Sequence, residues 1–214
     1  MAVRLICLAV GYMFGLIQTA YIIGRMHGID IRNYGSGNAG STNAMRTMGR
    51  KAGLLTFVGD VLKCVCAVLL VRLVFGAGHR EMLPLLSLYA SAGVILGHNF
   101  PFYLKFRGGK GIACTVGLAA MLGWPFFVLG FASFALIFFT THYVSLGSVV
   151  GYTLLFIEAV VLGQWGYFGV SRPVLWEMYI VLGLLSVMAI YRHRGNISRL
   201  FAGTESKMYL SRHE

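Results

Sequence analysis

Seven apolar stretches fill most of this sequence, and short polar segments separate them. A helix needs roughly 20 mostly apolar residues to cross the hydrocarbon core of a membrane. The chain is 57% hydrophobic and only 12% charged, whereas about 25% of the residues of a soluble domain are charged. We therefore predict an all-α integral membrane protein, a compact bundle of seven transmembrane helices. The predicted helices cover residues 3–24, 52–75, 82–104, 112–122, 125–141, 148–168 and 174–191.

The number of helices depends on one apolar stretch, residues 112–141. Gly123-Trp124-Pro125 interrupts it. Pro lacks the backbone N–H that a continuing helix uses, and Gly disfavours helix, so we place a break here. A kink in place of the break would leave six spans. With seven spans, residues 1–214 form one polytopic membrane domain whose termini lie on opposite sides of the membrane.

Lysine and arginine concentrate on the connections at one face of the predicted bundle. The formal net charge is +11, but its distribution is the excess of Lys and Arg that is typical of cytoplasmic loops, so we predict no nucleic-acid partner. The same rule predicts an N-terminus outside and a C-terminus in the cytoplasm. The predicted cytoplasmic segments are residues 31–51, 105–111, 142–147 and 192–214, and their charges include Arg46, Arg50, Lys51, Lys105, Arg107, Lys110, Arg192, Arg194, Arg199, Lys207 and Arg212.

The first cytoplasmic segment contains a glycine-rich run, residues 35–46, which we call the first loop. Glycines let the backbone turn its N–H groups inward, and hydroxyl and amide side chains add donors, so the run favours an anion-binding nest. Arg46 at its end suits bidentate binding of phosphate. A flexible polar linker is the alternative. The candidate residues of the nest are Gly35, Ser36, Gly37, Asn38, Gly40, Ser41, Thr42 and Asn43.

A second basic run, residues 105–111, directly precedes an apolar helix, and we call it the second loop. The unpaired N–H groups of that helix would face whatever anion the basic side chains attract. Ile112 follows Gly111, so the run lacks the hydroxyl residue of a nucleotide-binding P-loop. We predict a second phosphate site, with a purely topogenic basic loop as the alternative. The candidate binding residues are Lys105, Arg107, Gly108, Gly109, Lys110 and Gly111.

Polar residues inside predicted spans are costly and often functional. Asp60 and Lys63 are three residues apart on the second helix, so a structural ion pair is the simplest interpretation. His98 is either a packing residue or a proton-transfer group. Glu158 lies in the sixth helix, and it is either a neutralised or paired packing residue or part of the outer half of a polar core.

The polar C-terminal segment holds further candidates. His193 and Asn196 are three residues apart, so on a helix they would share one face and approach the same substrate. We also count Ser145, in the segment 142–147, among the candidate binding residues. Acidic residues are few and dispersed, and the cysteines lack the spacing of zinc ligands, so we predict no metal site.

Three of these segments together resemble the motifs of the bacterial acyl-phosphate glycerol-3-phosphate acyltransferases of the PlsY type. The resemblance extends over nearly the whole chain, through its length, its span count and the order of its motifs. The first motif resembles the first loop with Arg46, and the second resembles Gly97-His98 followed by Phe106 to Gly111. The third resembles His193, Asn196, Arg199, Gly203, Glu205 and Lys207.

This resemblance implies transfer of a fatty acyl group from acyl phosphate to the sn-1 hydroxyl of glycerol 3-phosphate, giving lysophosphatidic acid and phosphate, the first step of phospholipid biosynthesis. It implies no cofactor, a place in the bacterial cytoplasmic (inner) membrane with the site on the cytoplasmic side, and a soluble enzyme that forms acyl phosphate. The glycines of the second loop would bind glycerol 3-phosphate, and Glu205 would be structural. The catalytic roles fall to Ser36, Arg46, Lys110, His193 and Asn196.

An acyl phosphate is already activated, so the reaction needs no covalent acyl-enzyme. We expect direct attack by the substrate hydroxyl, with loop N–H groups, Arg46 and Lys110 stabilising the departing phosphate. The proton acceptor is either His193 or a phosphate of the substrate. A transporter of anionic solutes is the competing class, but the sequence shows no internal repeat of the kind transporters have. Acyl-thioester acyltransferases carry an Asp four residues after a His, a pattern missing at His27, His79, His98, His142 and His193.

Overall fold

The computed structural model describes residues 1–209, and within this range the chain is helical, without strands. Three short 3-10 turns, Ile31–Asn33, Arg80–Met82 and Phe102–Leu104, lie between the α-helices. The α-helices are α1 (Ala2–Gly15), α2 (Thr19–Met26), α3 (Ser41–Met48), α4 (Arg50–Phe75), α5 (Leu83–Asn99), α6 (Ile112–Leu122), α7 (Trp124–Thr141), α8 (Val144–Gln164), α9 (Arg172–Arg192) and α10 (Arg194–Phe201).

Six helical stretches of the described chain are long and apolar enough to cross a membrane, which confirms the all-helical membrane class. The predicted fourth span is present as α6, but its 11 residues extend only about 16 Å, against about 30 Å of hydrocarbon core. The break before α7 is confirmed, because Gly123 lies between the two helices with φ 143°. The six stretches are Ala2–Met26, Arg50–Phe75, Arg80–Leu104, Trp124–Thr141, Val144–Gln164 and Arg172–Arg192.

The first apolar stretch is not the single uninterrupted helix that we predicted. It divides into α1 and α2, and the backbone leaves α-helical geometry at residues 16–18. Gln18 is fully buried at this bend. Its Nε2 lies 3.0 Å from the carbonyl oxygen of Gly15, 3.2 Å from that of Gly97 and 3.1 Å from that of His98. A buried amide therefore stabilises the bend, and a hydropathy pattern does not reveal it.

Helices occupy parts of three of the predicted cytoplasmic segments. The segment 31–51 contains α3 and the start of α4, and the segment 192–214 contains α10. The segment 142–147 shrinks to two residues, because α8 begins at Val144 and places Ser145 in its first turn. Arg212 lies outside the described residues.

Helix α5 is the centre of the bundle, where it packs against α1, α4, α6 and α9. Its contact with α1 is close because each helix presents two glycines spaced four residues apart. A Cβ added at Gly93 would lie 2.1 Å from the carbonyl oxygen of Leu8, and one at Gly11 would lie 1.9 Å from that of Ala90. Small residues let membrane helices approach at backbone distance, where van der Waals contact replaces the missing hydrophobic driving force.

Polar contacts define the end of the bundle opposite the predicted loops. Arg4, near the start of α1, pairs with Glu177 of α9 at 2.6 Å. Arg72, near the end of α4, donates a hydrogen bond of 2.6 Å to the carbonyl of Met121, near the end of α6. Helices α1 and α9 therefore begin at this end and α6 terminates there, so the two loops and the C-terminal segment meet at the other end.

We predict that Gly93→Ala lowers the free energy of unfolding by about 2 kcal/mol, because the new methyl group meets backbone atoms that cannot rotate away. The measurement is the thermal unfolding midpoint in detergent. Gly151→Ala in α8 is the matched control, since a Cβ there meets no atom within 4 Å, and it should leave stability unchanged or raise it by up to about 1 kcal/mol. Equal midpoints for the two variants would contradict the close α1–α5 packing.

Candidate active site

The first loop owes its shape to one buried amide. Gly35 and Gly37 adopt left-handed backbone conformations, with φ 58° and 71°. Asn43 is 1% exposed; its Oδ1 accepts a hydrogen bond of 2.9 Å from the Ser36 N–H, and its Nδ2 donates one of 2.9 Å to the carbonyl of Tyr34. Its side chain is thus engaged within the loop itself. The Ser36 side chain stays exposed.

The second loop is anchored to the end of α5 and to α9. The Gly109 N–H donates to the carbonyl of His98 at 3.1 Å, and Arg192 Nη2 donates to the carbonyl of Gly109 at 2.7 Å. Gly109 also lies against the first loop, because a Cβ there would be 2.9 Å from the carbonyl oxygen of Ala39. The two glycine-rich loops, predicted separately, therefore meet in space.

The second loop leads directly into α6. Gly111, with φ 79°, is the N-cap, and no side chain in the described residues caps the helix there. The free N–H groups and the helix dipole favour an anion at this position. Lys105 and Arg107 are exposed at the start of the loop, away from this point.

Lys110 connects the second loop to the C-terminal segment. Its Nζ donates a short hydrogen bond to Asn196 Oδ1, and Asn196 Nδ2 donates one of 2.6 Å to Glu205 Oε1. Glu205 also accepts from Ser145 Oγ at 2.9 Å and from Arg199 Nε at 2.7 Å. Ser145, which was predicted to bind substrate, is buried and donates to this carboxylate.

Arg46 completes the convergence of the three motifs. It lies near the end of α3, and its Nη2 donates a hydrogen bond of 3.2 Å to the carbonyl of Ser206. Its guanidinium remains exposed otherwise. The first loop, the second loop and the C-terminal segment thus converge at one end of the bundle, and we call the place where they meet the recess.

Positive charge dominates this recess. Burial lowers the pKa of Lys110 to about 8; Glu205 opposes the shift, whereas Arg199, Arg192 and Arg46 reinforce it. Burial disfavours ionisation of Glu205, but hydrogen bonds from Asn196, Ser145 and Arg199 outweigh it and lower the pKa of that carboxyl group. The recess therefore combines several cations with one fully engaged carboxylate, which suits an anionic ligand.

His193 lies beside this charge in its neutral form. It is 2% exposed, and burial, followed by the charge of Lys110, lowers its pKa to about 4. Its Nδ1 lies 2.8 Å from the carbonyl oxygen of Ala189. A carbonyl only accepts hydrogen bonds, so the proton belongs on Nδ1 and Nε2 keeps a free lone pair.

The predicted ion pair between Asp60 and Lys63 is present, with 2.8 Å between Oδ1 and Nζ and both side chains buried. Asp60, His98 and Cys114 also form the group of the described chain whose spacing would suit a metal ion. Lys63 Nζ is 2.9 Å from His98 Nδ1 as well. An ammonium group thus already provides the positive charge between two of the three metal-ligand candidates.

The structure brings many of the predicted site residues together, and two residues beside them were not predicted. The structure brings Arg46, Lys110, His193, Asn196 and Glu205 together with the glycines of both loops, and it leaves Lys105 and Arg107 exposed. Arg192 was counted only as a topogenic charge and Gln18 not at all, although each bonds to carbonyls that shape the site. Their signal was a polar side chain at the edge of an apolar helix.

The sequence matches the family described as glycerol-3-phosphate acyltransferase over residues 5–203. The chain belongs to this family. One relative, the glycerol-3-phosphate acyltransferase of Clostridioides difficile strain 630, is 42% identical over 212 residues, which is 95% of each chain. Another, from Thermoanaerobacter sp. strain X514, is 40% identical over 201 residues, which covers 93% of this chain and 92% of the relative.

Two solved structures of an integral membrane family member, PlsY (YgiH), share the fold. The glycerol 3-phosphate form aligns with a TM-score of 0.82 at 30% identity and covers 96% of both chains. The lysophosphatidic acid form aligns with a TM-score of 0.80 at 29% identity and covers 96% of this chain and 95% of the other. The chain is therefore an all-helical, multi-pass bacterial membrane protein of the PlsY type.

We predict that Glu205→Ala lowers the free energy of unfolding by about 3 kcal/mol, because it leaves the buried Ser145 and the amide of Asn196 without their acceptor. Arg199→Ala is the control. Its side chain is 47% exposed, so its loss should cost less than about 1 kcal/mol. The thermal unfolding midpoint in detergent measures both, and a smaller loss for Glu205→Ala than for Arg199→Ala would refute the central role of the carboxylate.

Proposed function

We propose that the protein transfers a fatty acyl group from acyl phosphate to the sn-1 hydroxyl of glycerol 3-phosphate, releasing lysophosphatidic acid and inorganic phosphate. The observation that carries the proposal is the cationic recess. Lys110, Arg46 and the N-terminus of α6 lie together there, at one end of an apolar bundle. Family membership supports the acyltransfer, and the glycerol 3-phosphate and lysophosphatidic acid forms of PlsY support the acceptor and the product.

Both substrates are phosphate anions with different partners in this recess. The first loop with Ser36 and Arg46 provides one group of N–H donors and a cation, and Lys110 with the free N–H groups at the N-terminus of α6 provides the other. We assign the glycines of the second loop to glycerol 3-phosphate. The first loop, the N-terminus of α3 and Arg46 then face the phosphate of the donor, and Asn196 orients Lys110.

The reaction proceeds by direct attack in one site. The sn-1 oxygen of glycerol 3-phosphate forms a bond to the acyl carbonyl carbon, and the bond from that carbon to the bridging phosphate oxygen breaks. Phosphate leaves with the electron pair, while Arg46, Lys110 and backbone N–H groups stabilise the negative charge. No enzyme nucleophile takes part, because phosphate in the mixed anhydride is already a good leaving group.

The proton of the attacking hydroxyl passes to a substrate phosphate. His193, with a pKa of about 4, is a weak proton acceptor compared with a phosphate monoester, whose second pKa is about 6. The unprotonated Nε2 of His193 instead accepts a hydrogen bond from the sn-2 hydroxyl of glycerol 3-phosphate, which does not react, and this bond orients the sn-1 oxygen toward the carbonyl carbon. His193 therefore acts by orientation.

We place the recess on the cytoplasmic side of the bacterial cytoplasmic membrane and the N-terminus outside, in one polytopic domain with seven crossings. Six of these crossings are the long apolar stretches, and the short helix α6 is the additional one. At about 16 Å it leaves the second loop below the membrane surface, where irregular backbone is tolerated if protein or a wet cavity surrounds it. A lipid-borne acyl phosphate, made by a soluble enzyme, and a soluble acceptor then meet at that depth.

The first test measures phosphate release by purified protein from palmitoyl phosphate, with and without glycerol 3-phosphate. We expect release that depends on the acceptor, together with lysophosphatidic acid. Arg46→Ala should lower the turnover about a hundredfold by removing one stabilising cation, and His193→Ala should have a similar effect through lost orientation.

The matched controls are Arg50→Ala and His27→Ala, since both side chains are exposed outside the recess. They should turn over at the unmodified rate. Absence of acceptor-dependent release by folded protein would exclude the acyltransferase proposal, and vesicle uptake of an anionic solute by the same preparation would point to a transporter.

We predict that kcat/KM falls as the pH rises through about 8, because Lys110 then loses its proton and the charge that stabilises phosphate. The pH dependence of kcat/KM reports groups of the free enzyme. Lys110→Arg should keep its charge and shift this decline to higher pH. An unchanged decline near pH 8 in that variant would assign the titration to another group.

A further inference from the structure

A charged cluster lies in the bundle below the two loops, and the proposed reaction does not use it. Asp60 is 1% exposed, Lys63 4% and His98 3%. Charges at this depth are costly. A buried ion pair is also weak evidence for stability, since apolar residues of similar volume often serve as well or better. The cluster therefore calls for an explanation beyond stability.

The contacts of Lys63 determine which nitrogen of His98 carries the proton. Lys63 Nζ lies 2.8 Å from Asp60 Oδ1, 2.9 Å from His98 Nδ1 and 2.7 Å from the carbonyl oxygen of Ile17. An ammonium group has three protons to donate and accepts none. These three neighbours take all three protons, so His98 Nδ1 is the unprotonated nitrogen and the proton lies on Nε2.

The other edge of the His98 ring supports the point where the two loops meet. A Cβ on Gly109 would lie 2.0 Å from His98 Nε2 and 2.9 Å from the carbonyl oxygen of Ala39 in the first loop. The backbone carbonyl of His98 also accepts the Gly109 N–H at 3.1 Å. Residue 98 thus contacts the second loop with both its ring and its backbone, immediately before Lys110.

We propose that the Asp60–Lys63 pair locks His98 in its Nε2–H form, and that the locked ring is a positioning residue for the second loop. Gly109 packs against this ring, and the ring therefore sets the position of Lys110 and of the N–H groups at the start of α6. That this loop binds glycerol 3-phosphate rests on the proposed function. The position of the ring and its proton do not depend on it.

The test uses the double variant Asp60→Asn with Lys63→Met, which removes both charges and leaves neither one unpaired. Nitrogen-15 NMR of protein labelled at histidine reports which ring nitrogen is protonated, with His98→Gln identifying the signal. We expect Nε2–H alone in the unmodified protein and a mixture of forms in the double variant. The KM for glycerol 3-phosphate should rise about tenfold or more through misplacement of the loop, with a smaller change in kcat.

The matched control is Arg4→Met with Glu177→Gln, which removes an ion pair at the opposite end of the bundle. It should leave both the His98 signal and the KM unchanged. A proton on Nδ1 in the unmodified protein overturns the proposal, as does an unchanged KM in the folded double variant. If that variant does not fold, the NMR signal of His98 in the unmodified protein still decides which ring nitrogen carries the proton. If the unmodified protein shows no acyltransferase turnover, the proposed function is refuted, but the assignment of the proton to Nε2 of His98 is unaffected.

Discussion

Irregular backbone inside a membrane protein must obtain its hydrogen bonds from the protein, because hydrocarbon offers none. Two long polar side chains meet this demand at the site end of the bundle. Gln18 reaches three carbonyls where the first apolar stretch bends, and Arg192 binds the carbonyls of Gly108 and Gly109 at 3.3 and 2.7 Å. The second loop keeps its non-helical shape through these contacts, and the recess depends on that shape.

The charge of the recess has a second requirement, which Glu205 meets. Arginine and lysine side chains held close together repel one another, so an assembly of several cations needs a fixed negative partner. Glu205 lies in the segment that follows α10, and it accepts hydrogen bonds from Ser145 of α8 and from Asn196 and Arg199 of α10. The same carboxylate therefore holds the C-terminal segment beside the loops, and its negative charge opposes the lowering of the pKa of Lys110.

The helices of this fold were easier to predict from the sequence than the bends and boundaries between them. Apolar length identified the spans, and Gly123-Trp124-Pro125 identified the break before α7, because both signals are local. The bend at Gln18 and the early start of α8 were missed, since they arise from contacts with residues far along the chain. At the site, residue type suggested Lys110, Asn196 and His193, whereas the contacts of Asn43 with the Ser36 N–H and of Ser145 with Glu205 could not be predicted, because they depend on the fold.

Lys110 connects the electrostatics of the site to its chemistry. Burial and three neighbouring arginines lower the pKa of Lys110. A phosphate anion that enters the recess raises this pKa, so binding of phosphate and protonation of Lys110 favour each other. Glu205 balances only part of the positive charge around Lys110, so in the proposed reaction the interaction becomes most favourable as charge develops on the leaving phosphate. Stabilisation that increases toward the transition state is what lowers a barrier. In the proposed reaction the donor is already activated, so a preassembled group of cations provides this stabilisation and the protein supplies no nucleophile of its own.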